Sequence, residues 1–411
     1  MSLISFPFLI FIIILLITYY RISPKHQWKV LLIGSIVFYA WVRPVYIVFI
    51  AVSIVTTWAL MKKPSRSHWI MTLIVNLGIL IVFRYSVYFN VHSLIVPLGI
   101  SFYTFMTLGY AHDCMGKKIE PEQNLFHYAL FISYFPQITQ GPIGTYQDMK
   151  EQLISPHGFK MDNIRSGGYR VIKGLFKKLV IAGRLTYYVD TVFSSPKNYG
   201  GLTLIIAVFF YAVELYADFS GYMDIVCGIS RMLDIRLAEN FKRPYFSRNI
   251  QEYWRRWHIS LNKWFKEHLM LPAVTSGWNR KLSKWLGKLF PKAKKGTIRT
   301  VFPLILVWII TGIWHGAEDV YIVIYRKIFT TTRINTTEIT SSLTAFGNGN
   351  QALASVIILA VLIAGLFMVE LIKENDENAF MSHRYIYAAG MLVVMTLFGV
   401  AGQSNFMYQA F

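Results

Sequence analysis

Cysteine is nearly absent from this sequence, and the placement of the two that occur rules out several kinds of site. Cys114 and Cys227 lie far apart, in or beside apolar runs, and no CxxC pair is present. A cysteine-based zinc cluster and a dithiol redox motif are therefore excluded, and a structural disulfide is disfavoured. From the sequence we expect no bound cofactor and no metal site.

Three catalytic signatures are missing as well. The sequence contains no GxSxG elbow, no GxxxxGK[ST] loop and no GxGxxG fingerprint. Without the elbow, a serine acyl-enzyme of the hydrolase type is not indicated. Without the two glycine-rich loops, neither a P-loop phosphate site nor a dinucleotide-binding fold is indicated.

Acidic residues are scarce, because 21 Asp and Glu stand against 41 Lys and Arg, which gives a net charge of +20 at pH 7. Such a balance can indicate nucleic acid, but no RNA- or DNA-reading motif accompanies it. The chain is also 55% hydrophobic and 16% aromatic. In a membrane protein, excess Lys and Arg indicates cytoplasmic loops and anionic lipid, so we expect membrane lipid and no nucleic acid as a partner.

Apolar runs of the length of membrane helices dominate the sequence. The first five cover residues 2–20, 30–41, 45–61, 69–83 and 94–110, and the last two cover residues 353–371 and 385–400. We predict an all-α, polytopic membrane protein of about 9–11 membrane helices, with re-entrant and interfacial helices around a central tunnel. The first run lacks a basic n-region and a cleavage site, so we interpret it as a retained helix.

Basic clusters between the runs predict the topology. They follow the first, third and fifth runs and are Arg21/Lys25/Lys29, Lys62/Lys63/Arg66 and Lys117/Lys118. The positive-inside rule places all three in the cytoplasm and the N-terminus outside, in a multi-pass protein. Lys173, Lys177 and Lys178 are interpreted as a further interfacial edge.

The apolar run at residues 126–138 is broken by Pro136 and followed by Gly141 and Pro142. A break in a membrane segment is tolerated where the backbone is buried or lines a cavity. The pattern predicts either a re-entrant turn or an ordinary helix end, and the sequence leaves both open.

The run at residues 202–225 carries polar side chains, including Glu214, Asp218 and Ser220. A carboxylate within a membrane helix faces the interior of the bundle. Asp218 can orient a histidine, bind a substrate hydroxyl or pair with an arginine, and we favour structural pairing over catalysis.

A basic, aromatic block extends from residue 239 to residue 316 and carries two histidines, each directly after a tryptophan. Drawn as one helix, residues 254–268 have an aromatic face opposite a basic face. The first face includes Trp254, Trp257 and His258, and the second includes Arg255 and Arg256. Such a helix is typical of a membrane interface, here the cytoplasmic one, although its basic face is most simply a solvated or lipid-headgroup face.

His315 follows Trp314 at the end of the apolar run at residues 301–310. An ionisable side chain near membrane depth is costly and is a candidate functional residue. Its neutral imidazole can accept a proton near neutral pH. A histidine beside tryptophan in an apolar segment is more often a packing residue, so this motif alone decides nothing.

Five motifs occur in order across most of residues 90–325. They are Pro97-Leu98-Gly99-Ile100-Ser101-Phe102-Tyr103, Tyr134-Phe135-Pro136-Gln137 with Gly141-Pro142, Asp218-Phe219-Ser220-Gly221-Tyr222, the block from Glu239 to His258, and Gly312-Ile313-Trp314-His315-Gly316. Together they resemble the membrane-bound O-acyltransferase (MBOAT) family, specifically its bacterial polysaccharide-modifying branch. The resemblance implies acyl transfer from a thioester to a hydroxyl, with His315 as general base. It implies that His258 holds the thioester carbonyl, the acceptor or His315.

The resemblance also implies a domain plan and a wider site. It implies one membrane domain over residues 1–411, with N-terminal helices in 1–124, a catalytic core in 125–325 and C-terminal helices in 326–411, shortened after residue 325. The residues that would line the tunnel or bind substrate are Trp314, Trp257, Trp254, Arg255, Arg256, Asp218, Ser220, Pro136 and Gly141.

The implied donor is a cytoplasmic thioester, either acetyl-CoA or an acyl carrier protein. The implied acceptor is an extracytoplasmic polysaccharide or a partner acyltransferase, at the bacterial plasma membrane. The Trp-Arg-Arg-Trp-His and Pro-Leu-Gly-Ile-Ser-Phe-Tyr motifs favour the alginate and exopolysaccharide O-acetylation branch. D-alanyl transfer toward teichoic acid is the alternative. An alternative of another class is a polysaccharide or lipid transporter, which the lack of inverted repeats disfavours.

Overall fold

Helices account for every regular element in the described part of the chain. The computed structural model describes residues 2–84, 96–291, 295–315, 350–375 and 384–398, and no β-strand occurs in these ranges. The all-α prediction is therefore confirmed there. The chain forms two compact units, a first unit of Met1–Gly168 and Val226–Thr311, and a second unit of Tyr169–Ile225 and Gly312–Phe411.

The N-terminal helices coincide closely with the predicted apolar runs. They are α1 (Phe6–Arg21), α2 (Gln27–Val42), α3 (Tyr46–Met61), α4 (Arg66–Arg84) and α5 (Ile100–Met115). The fifth run was predicted to begin at residue 94, and this start is wrong. Helix α5 begins only at Ile100, because Pro97 disfavours helix before it and Gly99 adopts a left-handed φ of 69°.

Buried polar side chains join α3, α4 and α5 in the first unit. Asn76 of α4 accepts a hydrogen bond from Ser53 of α3 and donates through Nδ2 to Thr57 Oγ1 at 3.1 Å. Ser53 Oγ lies 3.5 Å from Thr107 Oγ1 of α5. Because water is scarce in apolar surroundings, such interhelical hydrogen bonds help to fix the packing of these helices.

The middle of the chain consists of shorter helices. They are α6 (Leu125–Ser133), α7 (Phe135–Ile138), α8 (Tyr146–Ile154), α9 (Met161–Phe176), a π-helical turn (Lys177–Ala182) and α10 (Gly183–Ser194). The interruption predicted near Pro136 is present, since the chain leaves the helix at Tyr134 between α6 and α7. Whether this is a re-entrant turn in a membrane stays a prediction.

The remaining helices complete both units. They are α11 (Gly201–Met232), α12 (Ile250–Arg256), α13 (Ile259–Phe265), a π-helical turn (Lys266–Met270), α14 (Leu271–Thr275), α15 (Gly277–Leu289), α16 (Lys295–His315), α17 (Asn350–Asn375) and α18 (Arg384–Phe398). Among the described helices, α4 and α11 are long and apolar enough to cross a bilayer, by length and composition alone. The count of about 9–11 membrane helices stays a prediction. The shortening predicted after residue 325 lies outside the described residues.

An ionised carboxylate secures the loop after α11 in the first unit. Asp234 adopts a φ of 61° and accepts hydrogen bonds from Asn163 Nδ2 at 2.6 Å and Lys160 Nζ at 2.8 Å. Burial alone raises the pKa of Asp234, but hydrogen bonds from Lys160, Asn163 and His157 outweigh it and lower the pKa below its usual value. The carboxylate is therefore charged at neutral pH and ties the start of α9 to the end of α11.

The turn after α7 has no room for a side chain at position 141, so we predict that Gly141→Ala lowers the melting temperature of the purified protein. A Cβ there would lie 2.2 Å from the Pro136 carbonyl oxygen and 2.6 Å from Gln137 Cα. Both atoms belong to the backbone, so relief requires the turn to shift, at a cost of about 1–3 kcal/mol.

Gly158→Ala is the matched control, because a Cβ at that position meets nothing within 4 Å. Thermal unfolding in detergent measures both variants. Equal melting temperatures for the two would contradict the tight turn.

Candidate active site

The structure corrects the single interfacial helix predicted for residues 254–268. Helix α12 ends at Arg256 and α13 begins at Ile259, with Trp257 extended and His258 in the left-handed region at φ 45°. The chain can break here because backbone groups find partners outside the helix. Ile259 N donates to the Asn240 carbonyl at 3.0 Å, and Lys242 N donates to the Arg256 carbonyl at 2.9 Å. A helical wheel considers only residues within the helix, so it cannot predict hydrogen-bond partners from this earlier loop.

The side-chain oxygen of Asn240 organises the break. It accepts hydrogen bonds from Ser260 N at 3.0 Å and from Ser260 Oγ at 2.9 Å, and it lies 3.2 Å from His258 Nδ1. Because the Ser260 amide can only donate, the atom facing it is the carboxamide oxygen, which can only accept. His258 Nδ1 therefore carries a proton, and in the neutral imidazole the lone pair is on Nε2.

The broken segment after α7 reaches this same place. Ile143 N donates to Ser260 Oγ at 3.0 Å, and Gln137 Nε2 donates to the Pro142 carbonyl at 3.1 Å. His258, Ser260, Asn240 and Gln137 are all buried. Of the residues predicted for the site, the structure thus brings the Pro136–Gly141 segment and His258 together within the first unit.

The two tryptophans before His258 pack against different aromatic partners. Trp257 is buried, stacks on Tyr253 with ring centroids 5.7 Å apart, and meets the edge of Phe241 at 5.0 Å. Trp254 instead contacts Trp308 of α16, with centroids 5.1 Å apart. Of the predicted aromatic face, Trp257 and His258 are buried, whereas Trp254 is only half-buried.

The two arginines predicted to contact substrate or tunnel have different settings. Arg255 is exposed, whereas Arg256 Nη2 lies 2.6 Å from Glu252 Oε1 one helical turn earlier. Arg256 Nη1 also donates to the Arg243 carbonyl at 3.5 Å. Arg256 therefore helps to hold the 240–246 loop against α12, and only Arg255 presents its charge to the surroundings.

In the second unit, Asp218 and Ser220 each contact a buried lysine. Asp218 pairs with Lys178, and Ser220 Oγ accepts from Lys177 Nζ at 3.1 Å. The interfacial edge predicted at Lys177 and Lys178 is wrong, because the side chains of these lysines are only 4% and 3% exposed. The π-helical turn directs both into the protein. The preference for structural pairing at Asp218 agrees with its contact, although the partner is a lysine.

Three basic side chains lie close to a second carboxylate of α11. Asp224 lies 3.1 Å from Arg170 Nε, 3.4 Å from Lys173 Nζ and 3.1 Å from Lys177 Nζ. Lys177 Nζ is also 3.7 Å from Glu370 of α17. The sequence interpretation missed Glu370, whose position as an acid inside the apolar run at residues 353–371 was the available signal.

Close approach of two helices makes these contacts possible. A Cβ on Gly174 would lie 2.5 Å from the Gly221 carbonyl oxygen, so α9 and α11 touch through their backbones. Bulkier residues at this crossing would keep the lysines of the adjoining π-helical turn away from the carboxylates.

The second histidine motif ends α16. Trp314 is buried in the second unit, at 6% exposure. His315 is the last residue of the helix, and its side chain lies outside the described residues, as do residues 316–349. The predicted tunnel lined by His258 and His315 therefore stays a prediction.

We predict that Asn240→Ala destabilises the protein more than Asn240→Asp. Alanine leaves the buried Ser260 amide and hydroxyl and the His258 Nδ1 proton without their acceptor, at about 1–3 kcal/mol for each buried group. Aspartate keeps an acceptor oxygen at the same place. Melting temperatures in detergent measure the effect, with the exposed Asn198→Ala as control. A smaller loss for alanine than for aspartate would contradict the role of this oxygen.

Comparison with known proteins agrees with these motifs. Residues 33–372 match the model of the MBOAT, membrane-bound O-acyltransferase family. The chain is 32% identical, over 76% of its own length and 62% of the other, to the "Probable alginate O-acetylase AlgI" of Pseudomonas syringae pv. tomato. It thus spans less than two thirds of that relative.

Two further relatives carry different names. The chain is 30% identical to the "Peptidoglycan O-acetyltransferase" of Helicobacter pylori, over 71% of this chain and 61% of that protein. It is 28% identical to the "Teichoic acid D-alanyltransferase" of Bacillus subtilis, over 58% of this chain and 59% of that protein. Because the family match covers most of the sequence, this helical membrane protein belongs to the membrane-bound O-acyltransferase family.

Proposed function

We propose that this protein is a membrane O-acyltransferase that moves an acyl group from a thioester donor to a hydroxyl of a cell-envelope polysaccharide or of a partner transferase. The observation that carries the proposal is the buried His258, held by Asn240 in one tautomer, within a chain of the membrane-bound O-acyltransferase family. A hydroxyl is a weak nucleophile, so attack on a thioester carbonyl requires a base that removes its proton.

In this proposal His315 is the base and His258 binds the acceptor. Neutral His258 with its proton on Nδ1 has a lone pair at Nε2, which accepts a hydrogen bond from a hydroxyl. In that state it cannot donate to the thioester carbonyl. Its hydrogen bonding thus supports two of the roles implied for His258, holding the acceptor or holding His315, and of these we propose the acceptor. Trp314, Trp257, Trp254, Arg255, Asp218 and Ser220 remain proposed tunnel or substrate residues.

Acetyl is the acyl group that we favour, from acetyl-CoA on the cytoplasmic side. Two of the relatives described above are named as O-acetylating proteins, and the alginate relative matches over a larger share of this chain than the D-alanyl relative does, 76% against 58%. D-alanyl transfer from a carrier protein is the second candidate. A transporter without acyl-transfer chemistry has no specific observation in its favour.

The topology proposal has the N-terminus outside and the basic clusters in the cytoplasm, in a multi-pass plasma-membrane protein. One contact in the first unit supports a common side for two of these clusters, Lys62/Lys63/Arg66 and Lys117/Lys118. Trp69, which follows the first of them, meets the ring of His112 near the end of α5, with ring centroids 6.0 Å apart. Positive charges gathered at one end of a helical bundle mark its cytoplasmic side.

We predict that His315→Ala lowers acyl transfer by at least ~10²-fold, the usual contribution of a general base. His258→Ala should lower it by about tenfold or more, since the acceptor loses its hydrogen-bond partner. Purified protein in detergent, incubated with radiolabelled acetyl-CoA and separately with D-alanyl carrier protein, identifies which thioester is consumed.

His68→Ala is the matched control, because the His68 ring hydrogen-bonds close by in the chain, with Nδ1 2.8 Å from the Lys63 carbonyl. Expression and membrane insertion of all three variants should equal those of the wild type. His315→Ala activity within a few-fold of the wild type would remove the proposed base. Consumption of neither thioester by the wild type would refute the acyltransferase proposal itself.

The topology predicts opposite labelling of two engineered cysteines. Arg43→Cys in the α2–α3 turn should react with an impermeant thiol reagent added outside intact cells, and Lys63→Cys should react only after the membrane is opened. Both positions are exposed, while Cys114 and Cys227 are buried and give little background. The reverse pattern would invert the proposed topology.

A further inference from the structure

A cluster of two histidines and an aspartate lies in the first unit, away from the His258 break. His112 and Asp113 are at the end of α5, and His268 is in the π-helical turn Lys266–Met270. One ligand atom from each lies within 4.8 Å of the other two. Asp113 Oδ1 is 3.2 Å from His268 Nε2 and 3.6 Å from His112 Nδ1. Positions 112, 113 and 268 form no short motif, so a metal site could not be predicted from the sequence.

Both ring nitrogens of His268 face atoms that accept hydrogen bonds. Nδ1 lies 3.2 Å from the Trp264 carbonyl, which can only accept, so Nδ1 carries the proton. In a neutral ring, the lone pair of Nε2 then points at the Asp113 carboxylate, and two acceptors repel each other. A positive charge has to lie between them, and it is either a second proton on the ring or a metal ion.

His112 favours the metal ion. Its Nδ1 is buried, and the acceptor described beside it, Asp113 Oδ1, lies 3.6 Å away, which is long for a hydrogen bond. A second proton on His268 would leave this nitrogen unsatisfied, whereas an ion bound between the three side chains would use it. We propose that His112, Asp113 and His268 bind one divalent cation, Zn²⁺, with water as the fourth ligand.

The distances suit a tetrahedral zinc site. Ligand atoms about 2.0–2.1 Å from zinc in tetrahedral geometry lie about 3.3 Å from one another. The separations of His268 Nε2 and His112 Nδ1 from Asp113 Oδ1, 3.2 and 3.6 Å, bracket that value, and all three ligand atoms lie within 4.8 Å of one another. Two imidazoles and one carboxylate are ligands that zinc accepts, whereas Mg²⁺ and Ca²⁺ prefer oxygen donors.

The surroundings of the cluster resemble those of a built site. Metal-binding histidines usually donate their other N–H to a carbonyl, as His268 does to Trp264. The His268 side chain is 3% exposed and that of Asp113 is 13% exposed. π-helical turns are rare, but those that occur within α-helices are often found at functional sites. The π-helical turn Lys266–Met270 supplies His268.

Lys118 is the natural competitor for the ion. Its Nζ lies 3.1 Å from Asp113 Oδ1, and its side chain is 49% exposed. An ion pair with so exposed a lysine is weak beside a set of metal–ligand bonds. The lysine can therefore swing toward water when zinc binds, and its removal should favour zinc.

The bound ion would fasten the helix that follows His258 to α5. A contact of the same two elements already exists, since Trp264 Nε1 donates to the Phe105 carbonyl at 2.8 Å. Zinc would add a second connection one turn further along. This is a structural site, and the inference does not depend on the acyltransferase proposal.

Zinc binding is tested on the full-length protein in detergent, purified through a tag that contains no histidine. Zinc content is measured by mass spectrometry after dialysis, and affinity by titration of Zn²⁺ against a fluorescent chelator. The wild type should hold one zinc per chain. His268→Ala should weaken binding by more than about 100-fold, because loss of a ligand exceeds the 10–100-fold effect of an outer partner.

Two further variants make the test independent of misfolding. Lys118→Ala should tighten zinc binding by up to about fivefold, the equivalent of one surface ion pair. His68→Ala, at a histidine outside the cluster, should bind zinc like the wild type. Absence of zinc from the wild type together with no uptake on titration would overturn the proposal and leave a cluster of imidazolium, carboxylate and ammonium. Wild-type affinity in His268→Ala would also overturn it.

Discussion

The carboxamide oxygen of Asn240 accepts hydrogen bonds from the amide and the hydroxyl of Ser260 and from His258 Nδ1, and the geometry of the candidate site depends on that one atom. A helix that begins in apolar surroundings exposes amide N–H groups that water cannot satisfy. Asn240, in an earlier loop, supplies acceptors for two of them, the amides of Ile259 and Ser260. The chain can therefore turn at His258 with these two donors paired, and the side-chain oxygen of Asn240 decides which imidazole nitrogen keeps a lone pair.

In the second unit, buried polar groups also need partners, and here ion pairs provide them. Lys177 and Lys178 would be very costly if buried alone, and each is matched by a carboxylate of α11. Such a network is weak support for stability, since apolar residues of similar size can do as well. We infer that it contributes specificity, because Asp224 of α11 and Glu370 of α17 have to approach the same lysine, Lys177.

Apolar runs predicted the helices well, since a run of 15 to 20 apolar residues has few other stable forms in lipid. Local sequence also marked the interruption at Pro136, because proline acts on its immediate neighbours. The failures share a different cause. The break at His258 depends on Asn240, and the burial of Lys177 depends on Asp224 and Glu370. Helical periodicity describes neighbours along the chain, and these partners are supplied by other segments.

The two units alternate along the chain, since each is made of two stretches separated by part of the other. During synthesis, Tyr169–Ile225 therefore leaves the ribosome well before Gly312–Phe411, and Lys177 is made long before Glu370. Until then Asp224 is the carboxylate available to it from its own stretch. Truncation after residue 311 would therefore remove one of the two stretches that form the second unit. The buried Lys177 would lose its partner Glu370.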